Sequence, residues 1–81
     1  MFDVDVDELA RKILEFLAGN GEHAVGEILE AVKGLTFDRE RVRYRLMCLA
    51  ADGYVERRRI TPKLYVWKIT EKGREALKEQ Q

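Results

Sequence analysis

Apolar positions recur along this chain with two different periods, and the change of period divides it. As far as Gly53 the spacing is helical. Leu9, Ala10, Ile13, Phe16 and Leu17 fall three and four residues apart and define the inner face of a first helix, expected from about Val6 to Ala18 and ended by Gly19-Asn20-Gly21. Asp5 followed by Glu8 resembles a capping box, with Val4 placed to pack on Leu9 as a hydrophobic staple. Val25, Ile28, Leu29 and Val32 repeat the spacing in a shorter second helix, expected over Val25 to Lys33 with Gly34 as its stop. Leu35-Thr36-Phe37-Asp38 then lead into a third helix, whose Val42, Leu46 and Leu49 form one buried stripe at i, i+4 and i+7. Asp38 is a good N-cap and Gly53 a good C′ residue, so this helix carries its own start and stop.

Beyond Gly53 the residues become strand formers: Y-V-E-R-R-R-I, then T-P-K, then L-Y-V-W-K-I-T. A three-residue break containing Pro62 between two such runs reads as a β-hairpin. Tyr65, Trp67 and Ile69 alternate onto one face, taken as the core side, with Val55 facing the same way on the partner strand. The closing stretch is a short polar helix with only Ala76 and Leu77 to bury, either a cover or a dimer contact. The expected class is α+β, with three helices, a two-stranded hairpin and a short C-terminal helix in one domain over residues 1–81.

Charge changes this picture more than composition does. The 81 residues carry a formal net charge of zero, which on its face disfavours a polyanionic partner. The distribution is uneven, however. Residues 1–37 hold eight acids against three bases, whereas residues 38–70 hold nine bases against four acids, a swing from −5 to +5. A one-sided positive field steers a polyanion to one face. Four arginines, Arg39, Arg41, Arg43 and Arg45, lie in the first two turns of the third helix, and Arg57, Arg58 and Arg59 follow in the hairpin. Charged residues make up 37% of the chain, Asn occurs once and Ser is absent, a balance of the kind seen in thermophile proteins.

The same inventory narrows the chemistry. Without serine, with one histidine and with neither a Gly-rich phosphate loop nor metal-ligand spacing, the usual acyl, phosphoryl and metal-hydrolytic constellations cannot be assembled, so no enzyme is expected. Lone Cys48 and lone His23 cannot supply a tetrahedral zinc site unaided, and no cofactor is expected. The acidic start lacks the basic n-region of a signal peptide, and no apolar run is long enough to cross a bilayer; a cytoplasmic protein with no membrane partner follows. His23 reads as an ordinary surface residue, Trp67 as core, and Met47 and Cys48 as packing against the hairpin or the first helix.

The phrases V-G-E-I-L-E-A-V (Val25 to Val32), R-V-R-Y-R-L-M-C-L-A-A-D-G-Y-V (Arg41 to Val55) and I-T-E-K-G-R-E-A-L (Ile69 to Leu77) resemble a winged helix-turn-helix regulator of the broad group that includes the MarR, PadR and ArsR families, with an archaeal cast. Leu46, Leu49, Gly53, Tyr54 and Val55 sit where such domains have L-x-x-L-x-x-x-G-(L/Y)-V. The resemblance implies a sequence-specific, double-stranded-DNA-binding transcriptional regulator. Helix 38–52 would enter the major groove and the wing, 54–70, would lie on the backbone or minor groove. Arg39, Arg41, Arg43 and Tyr44 take the reading role, with Glu40 discriminating against a wrong base and Arg45 completing the basic helix. Arginine suits this because its planar fork bonds O6 and N7 of guanine together, worth about 1–3 kcal/mol of discrimination. Arg57, Arg58, Arg59 and Lys63 take the wing role. Alternation sends Arg58 to the opposite face from Arg57 and Arg59, so not all three arginines can touch DNA in one rigid pose. Arg58, Arg59 and Lys63, nearest the hairpin tip, are the expected contacts.

Plainer readings stand beside these. Arginines on a helix can be a solvated face, and charges along a hairpin can guard an edge strand against aggregation. A winged helix can also be a protein-interaction module of a larger transcription or replication assembly. If the chain reads DNA, a homodimer is expected, because one small winged helix rarely covers enough duplex and two half-sites about one helical turn apart are the usual solution. No small-molecule effector is evident in a chain this short.

Overall fold

The computed structural model describes residues 8–79. Its elements are α1 (Glu8–Asn20), α2 (Val25–Ala31), α3 (Arg39–Ala51), β1 (Val55–Thr61), β2 (Leu64–Ile69) and α4 (Glu71–Glu79). This is the expected α+β order. The proposed capping box and staple at Val4 and Asp5, and the expected helix start near Val6, lie outside the described residues.

Helix α1 is the hub, touching α2, α3, α4 and β2. Leu14, absent from the expected stripe, completes an i, i+3, i+4, i+7 face with Ala10, Ile13 and Leu17 and is fully buried with them, while Phe16 is only partly buried. The helix also runs two residues past the expected end. Gly19 and Asn20 stay helical and the stop falls on Gly21, whose φ of +81° suits a residue without Cβ.

Helix α2 ends earlier than expected, at Ala31. Gly34 is not left-handed, so it does not serve as the C′ residue; the exit is a tight turn in which Leu35 and Thr36 donate backbone hydrogen bonds to the Val32 carbonyl at 2.8 and 3.3 Å. Val32 still reaches the core from this turn. At the helix start Ala24 has no side-chain oxygen, and the Glu27 carboxylate accepts from the Ala24 N–H at 3.1 Å, the returning half of a capping box.

Both ends of α3 are as expected. Asp38 Oδ1 accepts from the N–H groups of Glu40 and Arg41 at 3.0 and 3.3 Å. At the other end Gly53 (φ +84°) completes a Schellman motif, its N–H donating to Ala50 O at 3.0 Å and that of Tyr54 to Leu49 O at 2.9 Å. Val42, Leu46 and Leu49 are buried, each contributing about 1.5–3 kcal/mol of transfer free energy.

The hairpin is antiparallel, pairing Val55 with Ile69, Arg57 with Trp67 and Arg59 with Tyr65, and shifting register between Arg59 and Thr61. Because Thr61 still pairs with Leu64, the connection is the two residues Pro62-Lys63 rather than three. Val55, Trp67 and Ile69 are buried on one face and Tyr65 half-buried on it. His23 adds a short third rung: its N–H donates to Trp67 O at 3.1 Å, and the Trp67 N–H returns to His23 O at 2.9 Å. Helix α4 covers α1 and β2 with Gly73, Ala76 and Leu77 buried. Thr70 fastens it to the end of α3: its N–H donates to Tyr54 O at 3.0 Å, its hydroxyl donates to Gly53 O at 2.6 Å, and its Oγ1 accepts from Gly73 N at 3.1 Å.

Candidate nucleic-acid interface

With Val42, Leu46 and Leu49 turned inward, the 100° step of a helix distributes the remaining α3 side chains over three surfaces. Arg39, Arg43 and Met47 fall on the flank facing the hairpin. Glu40 and Tyr44 are outermost. Arg41, Arg45 and Cys48 lie on the far flank. The four arginines therefore do not form one patch.

The hairpin-side flank is the wall of a groove of about 540 Å³ whose other wall is the wing. Arg39, Arg43, Arg57 and Lys63 line it together with Met47, Tyr65 and Trp67, and none of its lining residues is acidic. The guanidinium of Arg39 rests over Gly26 of α2, where an added Cβ would sit 2.9 Å from Nη2. Arg43 makes one loose ion pair with Glu40 at 3.8 Å, an exposed contact worth at most about 1 kcal/mol. On the outer surface Tyr44 is 66% exposed, and the adjoining Cys48 thiol, accepting as a hydrogen-bond neighbour, raises its phenol above the ordinary 10.0. On the far flank Arg41 is exposed, whereas Arg45 is half-buried with its Nε out of contact with solvent.

The wing arginines separate as alternation requires. Arg58 makes a bidentate pair across β2 to Glu22 in the α1–α2 loop, with Nε to Oε2 at 3.0 Å and Nη2 to Oε1 at 2.6 Å. That contact holds the Glu22 carboxyl below its usual value. Arg57 instead stacks its guanidinium over Tyr65, 4.5 Å from the ring centroid, and lies 5.9 Å from that of Trp67. Arg59 is exposed on the same strand, and Lys63, exposed in the turn, lines the groove.

His23 is more than a surface residue. Its ring lies 4.8 Å from that of Phe16, with Nδ1 2.7 Å from Glu27 Oε1 and Nε2 2.8 Å from the Asn20 carbonyl. The sequence offered one signal for this, the spacing of His23 and Glu27 by four, but none for its backbone pairing to Trp67. Among the described residues no group of His, Cys, Asp and Glu is arranged to hold a metal, and no helix is long and apolar enough to cross a membrane.

Three helices, the third capped at both ends, followed by a basic two-stranded hairpin, define a winged helix-turn-helix fold. Solved structures agree. BpsR of Bordetella bronchiseptica, whose DNA binding is regulated by 6-hydroxynicotinic acid, superposes with a TM-score of 0.83 at 18% identity, over 96% of this chain and 54% of that one. RosR of H. salinarum gives 0.81 at 22% identity over 95% of this chain and 72% of its own. ZitR of Lactococcus lactis gives 0.79 at 24% identity over 99% and 53%. The chain thus spans about half the length of BpsR and of ZitR, and at these identities the likeness establishes the fold. No family model matches the chain, and no curated protein matches it.

Proposed function

We propose that the protein is a non-enzymatic, sequence-specific double-stranded-DNA-binding regulator of transcription, acting in the cytoplasm as a homodimer. Helix α3 enters the major groove and the wing lies on the backbone or minor groove. The observation that carries this reading is the cationic groove between α3 and the wing, lined by Arg39, Arg43, Arg57 and Lys63 without a carboxylate. Around it, Arg41 and Tyr44 stand exposed on the turns that lead into a groove of DNA, with Glu40 beside them. The DNA binding of BpsR, a neighbour in fold, supports DNA as the partner, and the sequence phrases favour the MarR, PadR and ArsR group of archaeal type. Arg45 contributes least to reading, being half-buried. The high share of charged residues suits a thermophile origin.

A second reading has its own observation. Phe37, next to the Asp38 cap of α3, is 81% exposed, with Leu35 also exposed nearby, which suits a protein-interaction module. A gel-shift titration against genomic duplex fragments at two salt concentrations separates the two. For a DNA reader, Arg41→Glu with Arg43→Glu abolishes a salt-sensitive shift while the melting temperature stays near that of the parent. For an interaction module, the parent shows no more than weak, sequence-independent binding.

A further inference from the structure

The wing carries three consecutive arginines, and the structure gives them different surroundings. Arg58 is closed into its bidentate pair with Glu22, so its charge is already answered within the fold. Arg57 points the other way, onto the face shared with Tyr65 and Trp67. Packed on the two rings, a guanidinium keeps its in-plane N–H groups free at the rim while its position is fixed, so less rotamer freedom is lost when it binds. Across the groove stand Arg39 and Arg43. When a helix occupies the major groove and a hairpin the neighbouring minor groove, the sugar-phosphate strand that divides those grooves must pass between them. A tetrahedral, singly charged diester meeting guanidinium groups from both walls is bound by charge-assisted hydrogen bonds in its preferred geometry.

Resting on the DNA-binding reading above, we infer that this groove seats the backbone phosphate of one DNA strand between α3 and the wing, with Arg57 as its wing-side ligand and Arg39 and Arg43 opposite. The Arg58–Glu22 pair is a structural tie that holds the wing against the α1–α2 loop. Arg57 is thus a positioning contact for DNA that carries no base information.

The test is the salt dependence of duplex binding, measured by fluorescence anisotropy between 50 and 200 mM salt. Four forms are compared: the parent, Arg57→Gln, Arg57→Lys, and the double variant Glu22→Gln with Arg58→Gln. Circular-dichroism melts accompany each form. Each neutralised phosphate adds about −0.9 to the slope of log K against log salt. Arg57→Gln should therefore flatten the slope by about 0.9, which is about 3.5-fold less loss of affinity over this range. Arg57→Lys should keep the slope, because the charge remains, yet bind more weakly, because the stacked fork is gone. The double variant should melt lower and keep the parental slope. A parental slope in folded Arg57→Gln overturns the inference, as does a double variant that flattens the slope as much as Arg57→Gln does. A parent that shows no salt-dependent duplex binding at all overturns the DNA-binding reading itself. Inorganic phosphate at millimolar concentration should not displace the duplex; if it displaces the duplex from the parent but not from Arg57→Gln, the groove is a free-anion site and the backbone assignment falls.

Discussion

Gly73→Ala should destabilise the protein, although alanine is the better helix former. In an open helix the change would gain about 1 kcal/mol. Here a Cβ on Gly73 would fall inside van der Waals contact of the Tyr54 carbonyl oxygen and 2.7 Å from Ile69 Cγ1. The carbonyl has nowhere to go, since it accepts the Thr70 N–H at 3.0 Å, and Thr70 in turn caps Gly73 and holds Gly53 O. Moving α4 outward to make room is overpacking, about 1–3 kcal/mol, and loosens a cap worth about 1 kcal/mol. Set against the propensity gain, the net loss is about 1–3 kcal/mol. For a domain of this size each kcal/mol lowers Tm by about 4–8 °C, so a fall of at least about 4 °C is expected in a circular-dichroism melt. Gly34→Ala is the control, because nothing lies within 4 Å of its Cβ position and its φ is not in the left-handed region. It should be neutral or stabilising by up to about 1 kcal/mol. A Gly73→Ala protein that melts at or above the parent would show that α4 does not dock as described.

Other expectations follow from the same contacts. Gly26→Ala should leave Tm unchanged or raised while weakening duplex binding, because the added methyl displaces only the far end of Arg39; unchanged affinity in an anisotropy titration would remove that resting place of Arg39 from the binding account. Leu46→Ala should cost about 2–5 kcal/mol, as for other fully buried leucines, and a denaturant midpoint close to the parent would contradict its burial in the core. The Arg58 hydrogen bond lowers the Glu22 carboxyl below its ordinary 4.5, so this group's contribution to stability is present above pH 4.5 and is lost as acidification carries it through the lower folded value. Below pH 4.5, Glu22→Gln should therefore lose stability less steeply than the parent, and parallel curves would indicate that the pair does not persist in solution.

Where local chemistry decides the structure, the sequence was readable. Helix α3 is bounded by side-chain and glycine caps that act over a few residues, so Asp38 and Gly53 marked its ends, and Val42, Leu46 and Leu49 marked its buried side. Strand alternation likewise placed Trp67, Ile69 and Val55 inward and sent Arg57 and Arg58 to opposite faces. Leu14 also belongs to the spacing Ala10, Ile13, Leu14, Leu17 at i, i+3, i+4 and i+7, so its burial was legible in the period along α1 although the expected stripe left it out. What was hidden depends on neighbours distant in the chain. Gly34 has the composition of a helix stop, yet α2 is already ended by the turn at Val32, so no left-handed residue is needed there. The partner of Arg58 could be assigned only once Glu22 was brought beside the outer edge of β2 by the His23–Trp67 rung. Alternation distinguished the two arginines; it did not say which of them had an internal carboxylate waiting.

Whether α3 and the wing read duplex DNA by sequence is decided by in vitro selection from a randomised duplex library. A sequence-reading homodimer should enrich a defined motif over successive rounds, arranged as two half-sites about one helical turn apart, and should lose that enrichment when Arg41 and Arg43 are both changed to Glu. A parent protein that recovers no motif beyond the starting library, or one that enriches the same motif after both arginines are reversed, would contradict sequence reading by α3 and the wing.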